Sequence, residues 1–462
     1  MSTNSTSKQL CFQEIEGRAV VAAFDGGRIS SDGGSLLLRQ IEQGRGYVRE
    51  FARCFVDGRD SRFVEHSVEQ LIGQRVYGVC LGYEDLVDHD ELRNDPLMGL
   101  LCGKADRASG PLAGKSTLNR LETARPADQE PTRYKKIVAD MEKLSQFFIT
   151  TFVRTTKKRP ARLVLDFDAT DDPLHGKQEG RFFHGYYDCY CYLPLYVFCG
   201  DELLWAQLRP SDIDASAGAV EVLATLVSHL RKKWPGVPIL VRADSGFCRE
   251  SLMSWCEAHG VDYLLGIAKN ARLVARIRPL MKKVRRRWAQ SRTAARRYTN
   301  LRYRTLDTWS RARRVVAKAE YLDKGANPRF LVTSLPANRY PAAQVYEGLY
   351  CPRGEMENRI KEQQLYLFAD RTSSATMRAN QLRLWFSSLA YVFLNELRRV
   401  GLRTTHMGNA NCQTIRLKLL KIGARVRHSV RRVTISLAGG YPHQEVFTAA
   451  AATLAAAYHL QR

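Results

Sequence analysis

The hydrophobic pattern is densest in the middle third of the chain, between residues 162 and 268. Arg162-Leu163-Val164-Leu165-Asp166-Phe167-Asp168 reads as a largely buried strand. Strand-like segments rich in Tyr, Val, Leu and Phe follow at 185–198 and 203–208. An amphipathic helix is predicted next, N-capped by Asp214 or Ser216. Ala219, Val220, Leu223, Leu226, Val227 and Leu230 share one of its faces, and Pro235-Gly236 stops it. The buried strand Ile239-Leu240-Val241-Arg242-Ala243-Asp244 precedes a second helix over about 250–259 and a fifth strand over 262–267. The order is β-β-β-α-β-α-β, with one Asp ending the first strand and another ending the fourth.

That is the element order of a ribonuclease-H-like α/β fold, in which those two strand ends lie side by side. Two carboxylates held together at a sheet edge are costly without a cation between them, so the pair reads as a divalent-metal site. Asp166 and Asp168 share a strand face, and Asp168, at the strand exit, is the preferred ligand. Asp171 and Asp172 read as loop residues, with Asp171 placed to assist a metal. Asp244, followed by Ser245-Gly246-Phe247, is either a ligand at the sheet edge or the cap of the next helix; the element order favours the ligand. A later helix supplies a third carboxylate. Arg353, Glu357, Lys361 and Gln364 line one of its faces, either as a salt-bridge ladder or as a metal ligand flanked by phosphate-binding cations. The competing Glu355 lies about 160° away by helical phase.

The flanking regions are different in character. Residues 1 to about 12 form a polar tip, and alternation between Glu14 and Phe24 predicts a strand. Asp32-Gly33-Gly34 turns into a helix over 35–43, and residues 60–150 are mostly helical, broken at Asn94-Asp95-Pro96 and around Pro126 and Pro131. Gly110-Pro111-Leu112-Ala113-Gly114-Lys115-Ser116 imitates a phosphate-binding loop, but it has three residues between its glycines where that loop needs four. Gly114 is better read as ending a turn, with Ser116 or Thr117 capping the helix that carries Leu118 and Leu121. From 271 to 318 a single acid, Asp307, stands among many arginines, including Arg285, Arg286 and Arg287, with Trp288, Tyr298, Tyr303 and Trp309 interleaved. Basic and aromatic residues on strands suit phosphate neutralisation and base stacking. A strand over 330–335 follows, and 385–397 predicts an apolar helix buried against the sheet.

The expected organisation is a mostly helical, DNA-binding region at 1–155, a catalytic core at 156–270 and 336–400, a basic β-rich insertion at 271–335, and a basic helical region at 401–462. The 462 residues carry 71 Lys and Arg against 47 acids, a formal charge of +24, which points to a polyanionic partner. The small-apolar run 449–458 is too short to span a bilayer, and no signal-peptide pattern is present. The 11 cysteines include no C-x-x-C, and Cys189-x-Cys191 has no second pair nearby, so they read as core thiols of a reducing compartment. The expectation is a cytoplasmic, nucleoid-associated protein.

Three segments together resemble a known family. They are Leu165-Asp166-Phe167-Asp168-Ala169-Thr170-Asp171-Asp172-Pro173-Leu174-His175-Gly176, Val241-Arg242-Ala243-Asp244-Ser245-Gly246-Phe247, and Tyr350-x-x-Arg353-x-x-x-Glu357-Asn358-Arg359-Ile360-Lys361-Glu362. They look like a DDE-type bacterial insertion-sequence transposase of the family numbered thirteen-eighty, within the Tyr-Arg-Glu-Lys signature group. The resemblance runs over nearly the whole chain. It implies a catalytic and metal-binding triad of Asp168, Asp244 and Glu357, with Tyr350 and Arg353 matching the signature. The signature Lys, seven residues after the Glu, falls on Gln364, and Lys361 stands one turn earlier. It further implies two Mg²⁺ ions, replaceable by Mn²⁺, and a homodimer that pairs terminal inverted repeats, cuts them by way of a hairpin, and joins them to double-stranded target DNA. In relatives a Trp of the insertion stacks on a flipped base, a role open here to Trp309 or Trp288. A hydrolytic nuclease of the same fold and a non-cutting end-binder are the competing classes.

Overall fold

The computed structural model describes residues 9–104, 110–126, 129, 132–133 and 135–460. Residues 1–8 of the expected polar tip and the break at Pro131 lie outside these. The chain divides into two compact units. One comprises residues 1–140, 366–368 and 389–462, the other 141–365 and 369–388.

The second unit is built on a nine-stranded mixed sheet. Its strands are β1 (Leu163–Ala169), β4 (Leu195–Cys199), β5 (Glu202–Gln207), β6 (Ile239–Ala243), β7 (Asp262–Ile267), β8 (Ala295–Tyr303), β9 (Arg313–Leu322) and β10 (Arg329–Thr333), with Gly325–Ala326 pairing onto β9. Two shorter strands, β2 (Phe182–His184) and β3 (Cys189–Tyr192), pair with each other and with Asp172–Pro173 in a separate small sheet. The main order is β5-β4-β1-β6-β7-β10-β9-β8. Only the β1–β6 and β6–β7 pairs are parallel; the others are antiparallel.

Strand period explains the burial. Leu163, Leu165 and Phe167 of β1 face a core shared with helices α1 (Met141–Thr155), α2 (Ala219–Lys233) and α3 (Glu250–Ala258). Val164 faces the opposite core, with Leu240, Leu264, Val316 and Leu331, under Ala342, Val345 and Tyr346. A sheet covered on both faces needs near-continuous apolar strands, and β6 (Ile-Leu-Val-Arg-Ala) is buried at every position. In α2, Val222, Leu223, Leu226, Val227 and Leu230 are buried, each worth about 1.5–3 kcal/mol of apolar transfer. Its N-cap is Gly218 at φ 75°, not Asp214 or Ser216. The segment 185–198 is two strands, because Leu193-Pro194 breaks the ladder.

Three further expectations change. Residues 271–291 are helical, as Ala271–Arg276 and α4 (Arg278–Ser291), because Ile277, Leu280, Met281, Val284 and Trp288 recur at helical spacing and pack on the core. Arg285, Arg286 and Arg287 therefore sit on a helix, exposed, and not on a strand. The strands that follow extend the main sheet beyond β7 and do not form a sheet of their own. The C-terminal region also holds a hairpin, Ala424–His428 with Val433–Leu437, in which Ala424 and Val426 are buried and Arg425 and Arg427 exposed. Asp172 is buried in its short strand and is not a loop residue. In the first unit, the alternation after Glu14 belongs to a hairpin, Leu10–Ile15 with Arg18–Ala22. The helix Lys115–Glu122 begins directly after Gly114, capped by neither Ser116 nor Thr117; the Asp90 carboxylate accepts the Lys115 N–H at 3.0 Å. The predicted apolar helix spans Met377–Glu396, and Trp385 Nε1 donates to Ala206 O of β5 at 2.8 Å.

One ion network ties the sheet extension to α3. Arg313, whose side chain is 2 % exposed, donates to Glu250 at 2.6 and 3.0 Å and to Glu257 at 2.8 and 3.0 Å. Burial pushes both carboxyls up, but hydrogen bonds from Arg313 and from nearby hydroxyls outweigh it and bring each to about 2, from 4.5. Replacing Arg313 by Met should destabilise the protein by about 3 kcal/mol, the lower end for a broken buried pair because both glutamates keep some contact with water. The gap between wild type and variant in urea denaturation should be full above pH 4.5 and shrink as pH falls through about 2, where the glutamates protonate in the native state.

Candidate active site

The register of β1 against β6 sets the site. Arg242 pairs with Asp166 and Ala243 with Phe167 in the parallel ladder, so Asp244 follows at the level of Asp168 on the neighbouring strand. The two β1 carboxylates share a face but not a fate. Asp166 is buried and gripped at 2.6 Å by both Nε and Nη2 of Arg242, whose Nη1 also donates to Leu349 O at 2.5 Å. Asp168, two residues on, reaches a pocket of about 480 Å³ that Asp244 and Glu357 also line.

Asp244 terminates β6, and its Oδ1 accepts the Gly246 N–H at 2.8 Å, so it caps the short turn Ser245–Phe247 as well as facing the pocket. Glu357 is carried by α5 (Gly354–Lys361), which buries Met356 and Ile360 and turns Glu357 outward. Glu355 is exposed and does not line the pocket. Nor does Asp171, whose backbone oxygen accepts from the Gln364 amide at 2.9 Å.

Arg353 stands between two of the carboxylates. Its Nη2 donates to Glu357 Oε1 at 2.9 Å, and its Nη1 lies 3.5 Å from Asp168 Oδ2, buried without a hydrogen-bond partner. Burial pushes the Asp168 carboxyl up to about 7; Arg353 opposes this, while Asp244 and Glu357 add to it. The donor set is all hard carboxylate oxygen and the buried charge is under-compensated, two features that fit a divalent cation. The unbonded guanidinium nitrogen instead suits an anionic acceptor such as a phosphate. Among the described residues no three Asp, Glu, His or Cys side chains converge to ligand distance as they stand, with Arg353 filling the space between Asp168 and Glu357.

A model for the family described as transposase DDE domain group 1 matches residues 12–459. The chain belongs to the DDE transposases. It is thus a DNA-cleaving and strand-joining enzyme of a family that depends on divalent metal. No curated protein matches the transposase. Among solved structures it is similar to one described as a cryo-EM structure of piggyBac transposase synaptic complex with hairpin DNA, at 12 % identity and a TM-score of 0.36, covering 80 % of this chain and 82 % of that one.

The other expected site residues of the transposase are scattered. Lys361 lines the pocket. Tyr350 lies beside it, with its ring 5.9 Å from the Arg353 guanidinium. A Cβ on Gly266 of β7 would come within 2.9 Å of both Tyr350 Oη and Ser245 N, so only glycine lets that tyrosine settle against the Asp244 turn. Trp309 does not fit a base-stacking role here: it is 6 % exposed, edge-to-face with Tyr303 and beneath Arg313. Trp288 is half-buried, and its indole donates to Asp323 at 3.0 Å. Arg285, Arg286 and Arg287 do not line the pocket. Among the lining residues not singled out in the sequence are three rings, His184 at the end of β2 and Tyr186 and Tyr187 in the bend that follows it. The only signal was an aromatic cluster that also suits an ordinary strand.

The two β1 aspartates should separate cleanly by mutation. Asp166→Asn leaves Arg242 a buried unpaired cation and should cost about 3–5 kcal/mol in denaturant unfolding. Asp168→Asn removes a poorly compensated charge and should leave stability unchanged or raised, while abolishing DNA cleavage.

Proposed function

We propose that this transposase belongs to the insertion-sequence family numbered thirteen-eighty, in the Tyr-Arg-Glu-Lys group, and that its sheet β5-β4-β1-β6-β7 is a ribonuclease-H-like catalytic core. The observation that carries the reading is one pocket lined by Asp168, Asp244 and Glu357, three carboxylates from separate segments in the expected order. These residues would hold two Mg²⁺ ions, or Mn²⁺ in their place. Bound there, the ions supply Lewis-acid stabilisation of the attacking and leaving oxygens.

The chain's own part is charge and position. Arg353 exchanges its carboxylate contacts for the scissile phosphate, with Lys361 on the same pocket wall as a second phosphate cation. Tyr350, held over Gly266, keeps the Asp244 turn in place. In-line displacement by water releases a 3′-OH at the element end. Attack by that hydroxyl on the opposite strand gives a hairpin, whose reopening is followed by joining to target DNA. Two copies pair the terminal inverted repeats before cutting. End recognition falls to residues 1–155 and 401–462, with the arginines of α4 as an added DNA surface. In support, residues 397–444 contain no Asp or Glu and ten Lys or Arg. None of the described helices is long and apolar enough to cross a membrane, and we place the protein in the cytoplasm at the nucleoid.

The test uses a duplex carrying the element's own end, with Mg²⁺, and compares wild type with Glu357→Gln. Nicks at the end boundary should fall by at least about 10²-fold, the scale of losing one group that stabilises transition-state charge, with DNA binding retained. Chelation by EDTA should abolish wild-type cleavage. Equal cleavage by both proteins would remove Glu357 from the site.

A further inference from the structure

We propose that the C-terminal hairpin, Ala424–His428 with Val433–Leu437, is a two-stranded ribbon that enters the major groove of the DNA and reads guanine with Arg425 and Arg427. This rests on the end-recognition reading above, which supplies DNA as the partner but names no element that reads it. The hairpin has two unlike faces. On one, Ala424, Val426, Ile435 and Leu437 pack with Leu97 and Leu100, so the ribbon is seated on the fold. On the other, Arg425 lies opposite Ser436 and Arg427 opposite Thr434, and all four residues are exposed.

Shape and charge both fit a groove. Ile29–Ser30 adds a third strand at the base of the hairpin, but it pairs only with Ala424 and Arg425. Beyond that point the sheet narrows to two strands, the width that a major groove admits. The tip is closed by the Ser429 N–H, which donates to Arg432 O at 2.8 Å, and by the Arg432 N–H, which donates to Ser429 Oγ at 3.1 Å. Arg431 and Arg432 stand exposed there. None of Arg425, Arg427, Arg431 and Arg432 pairs with a carboxylate among the described residues. A guanidinium fork matches the two acceptors that guanine shows in the major groove. Two residues apart on a strand, Arg425 and Arg427 are separated by about 7 Å, close to two base steps.

The flank of the ribbon suits the DNA backbone. A pocket of about 340 Å³ is lined there by Arg28, Arg93, Asn94 and His428, the last residue of the first hairpin strand. The Val426 N–H donates to Arg28 O at 2.8 Å, which ties this arginine to the ribbon. Asp95 also lines the pocket, but its carboxylate is committed to the Leu97 and Met98 N–H groups at 2.8 and 2.9 Å. Arg28 and Arg93 are thus left to meet a phosphate, a contact that positions without reading sequence.

The experiment measures binding by fluorescence anisotropy in the full-length Glu357→Gln protein, so that the DNA is not consumed. The probes are a labelled duplex carrying the element's own end, a scrambled duplex of the same composition, and an RNA duplex of the end sequence. Arg425→Ala and Arg427→Ala should each weaken end binding roughly 5- to 150-fold, the range of one arginine–guanine pair, and change scrambled binding far less. Arg427→Lys keeps the charge without the fork and should lose the same preference. Guanines replaced by the deaza analogue, which lacks the ring-nitrogen acceptor of the major groove, should cost the parent protein its preference too. Arg28→Ala should instead weaken both DNA duplexes alike and lower the salt slope by about 1; an effect on one duplex alone would remove the phosphate contact. A parent protein without end preference, a preference that survives both alanine variants, equal losses on the two DNA duplexes, or equal binding to the RNA would overturn the ribbon. Cleavage by wild type is read separately: an arginine-dependent preference without cleavage sinks the catalytic assignment alone. An end preference indifferent to the arginines sinks the ribbon and keeps end recognition.

Discussion

A half-buried carboxylate without a full partner is the constraint around which the catalytic unit is arranged. Two residues separate Asp166 from Asp168 on one strand, and the chain treats them in opposite ways. The first receives a bidentate arginine from the adjacent strand and becomes part of the core. The second accepts only the Ala169 N–H at 3.1 Å and faces one guanidinium nitrogen 3.5 Å away that makes no hydrogen bond, with two more carboxylates on the same pocket. Burial of this kind is costly for the charged form, and it holds the Asp168 carboxyl up at about 7.

Much of the surrounding structure holds that arrangement in place. Asp244 belongs to a short turn that leads directly into α3, and α3 is pinned from the other side by Arg313 through Glu250 and Glu257. The strands beyond β7 thus buttress the segment that positions a candidate ligand. Gly266 serves the same end from below, because any side chain there would push Tyr350 or the Ser245 backbone away. The unit's stability comes from a sheet covered on both faces, which is independent of the pocket and can absorb the unfavourable charge at its edge.

The order of the main-sheet strands and their helices from 162 to 267 was legible because each has one dominant period and a clear stop. By contrast, the single strand read over 185–198 hid the break at Leu193-Pro194 and the separate small sheet before it. Helix α4 was not legible either: its arginines mask the recurrence of Ile277, Met281, Val284 and Trp288, which alone decides its form. Likewise Arg425 and Arg427 drew attention as charge, although their alternation with Ala424 and Val426 is a strand pattern. Among site residues, element order placed Asp168 beside Asp244 and helical phase placed Glu357 with Lys361, while only the family resemblance joined the two pairs; all four line one pocket. Arg353 was legible as a neighbour of Glu357, but its reach to Asp168 depends on tertiary packing. The burial of Trp309 depends on Tyr303 and Arg313, and no spacing rule supplies that.

The division between Trp309 and Tyr186 shows why aromatic residues in a basic protein need a structure before a role. Trp309 lies where rings alternate with cations and suits base stacking by composition, whereas Tyr186 lies in a run of rings that Arg181 precedes. Trp309 is covered by Tyr303 and an arginine already committed to two glutamates, so exposing it would disturb the Arg313 network. Tyr186 is bare at no comparable cost, since its bend is closed by backbone hydrogen bonds and by neighbouring rings that do not depend on it. A ring that contributes little to the fold can be spent on a ligand, whereas one that seals a core cannot.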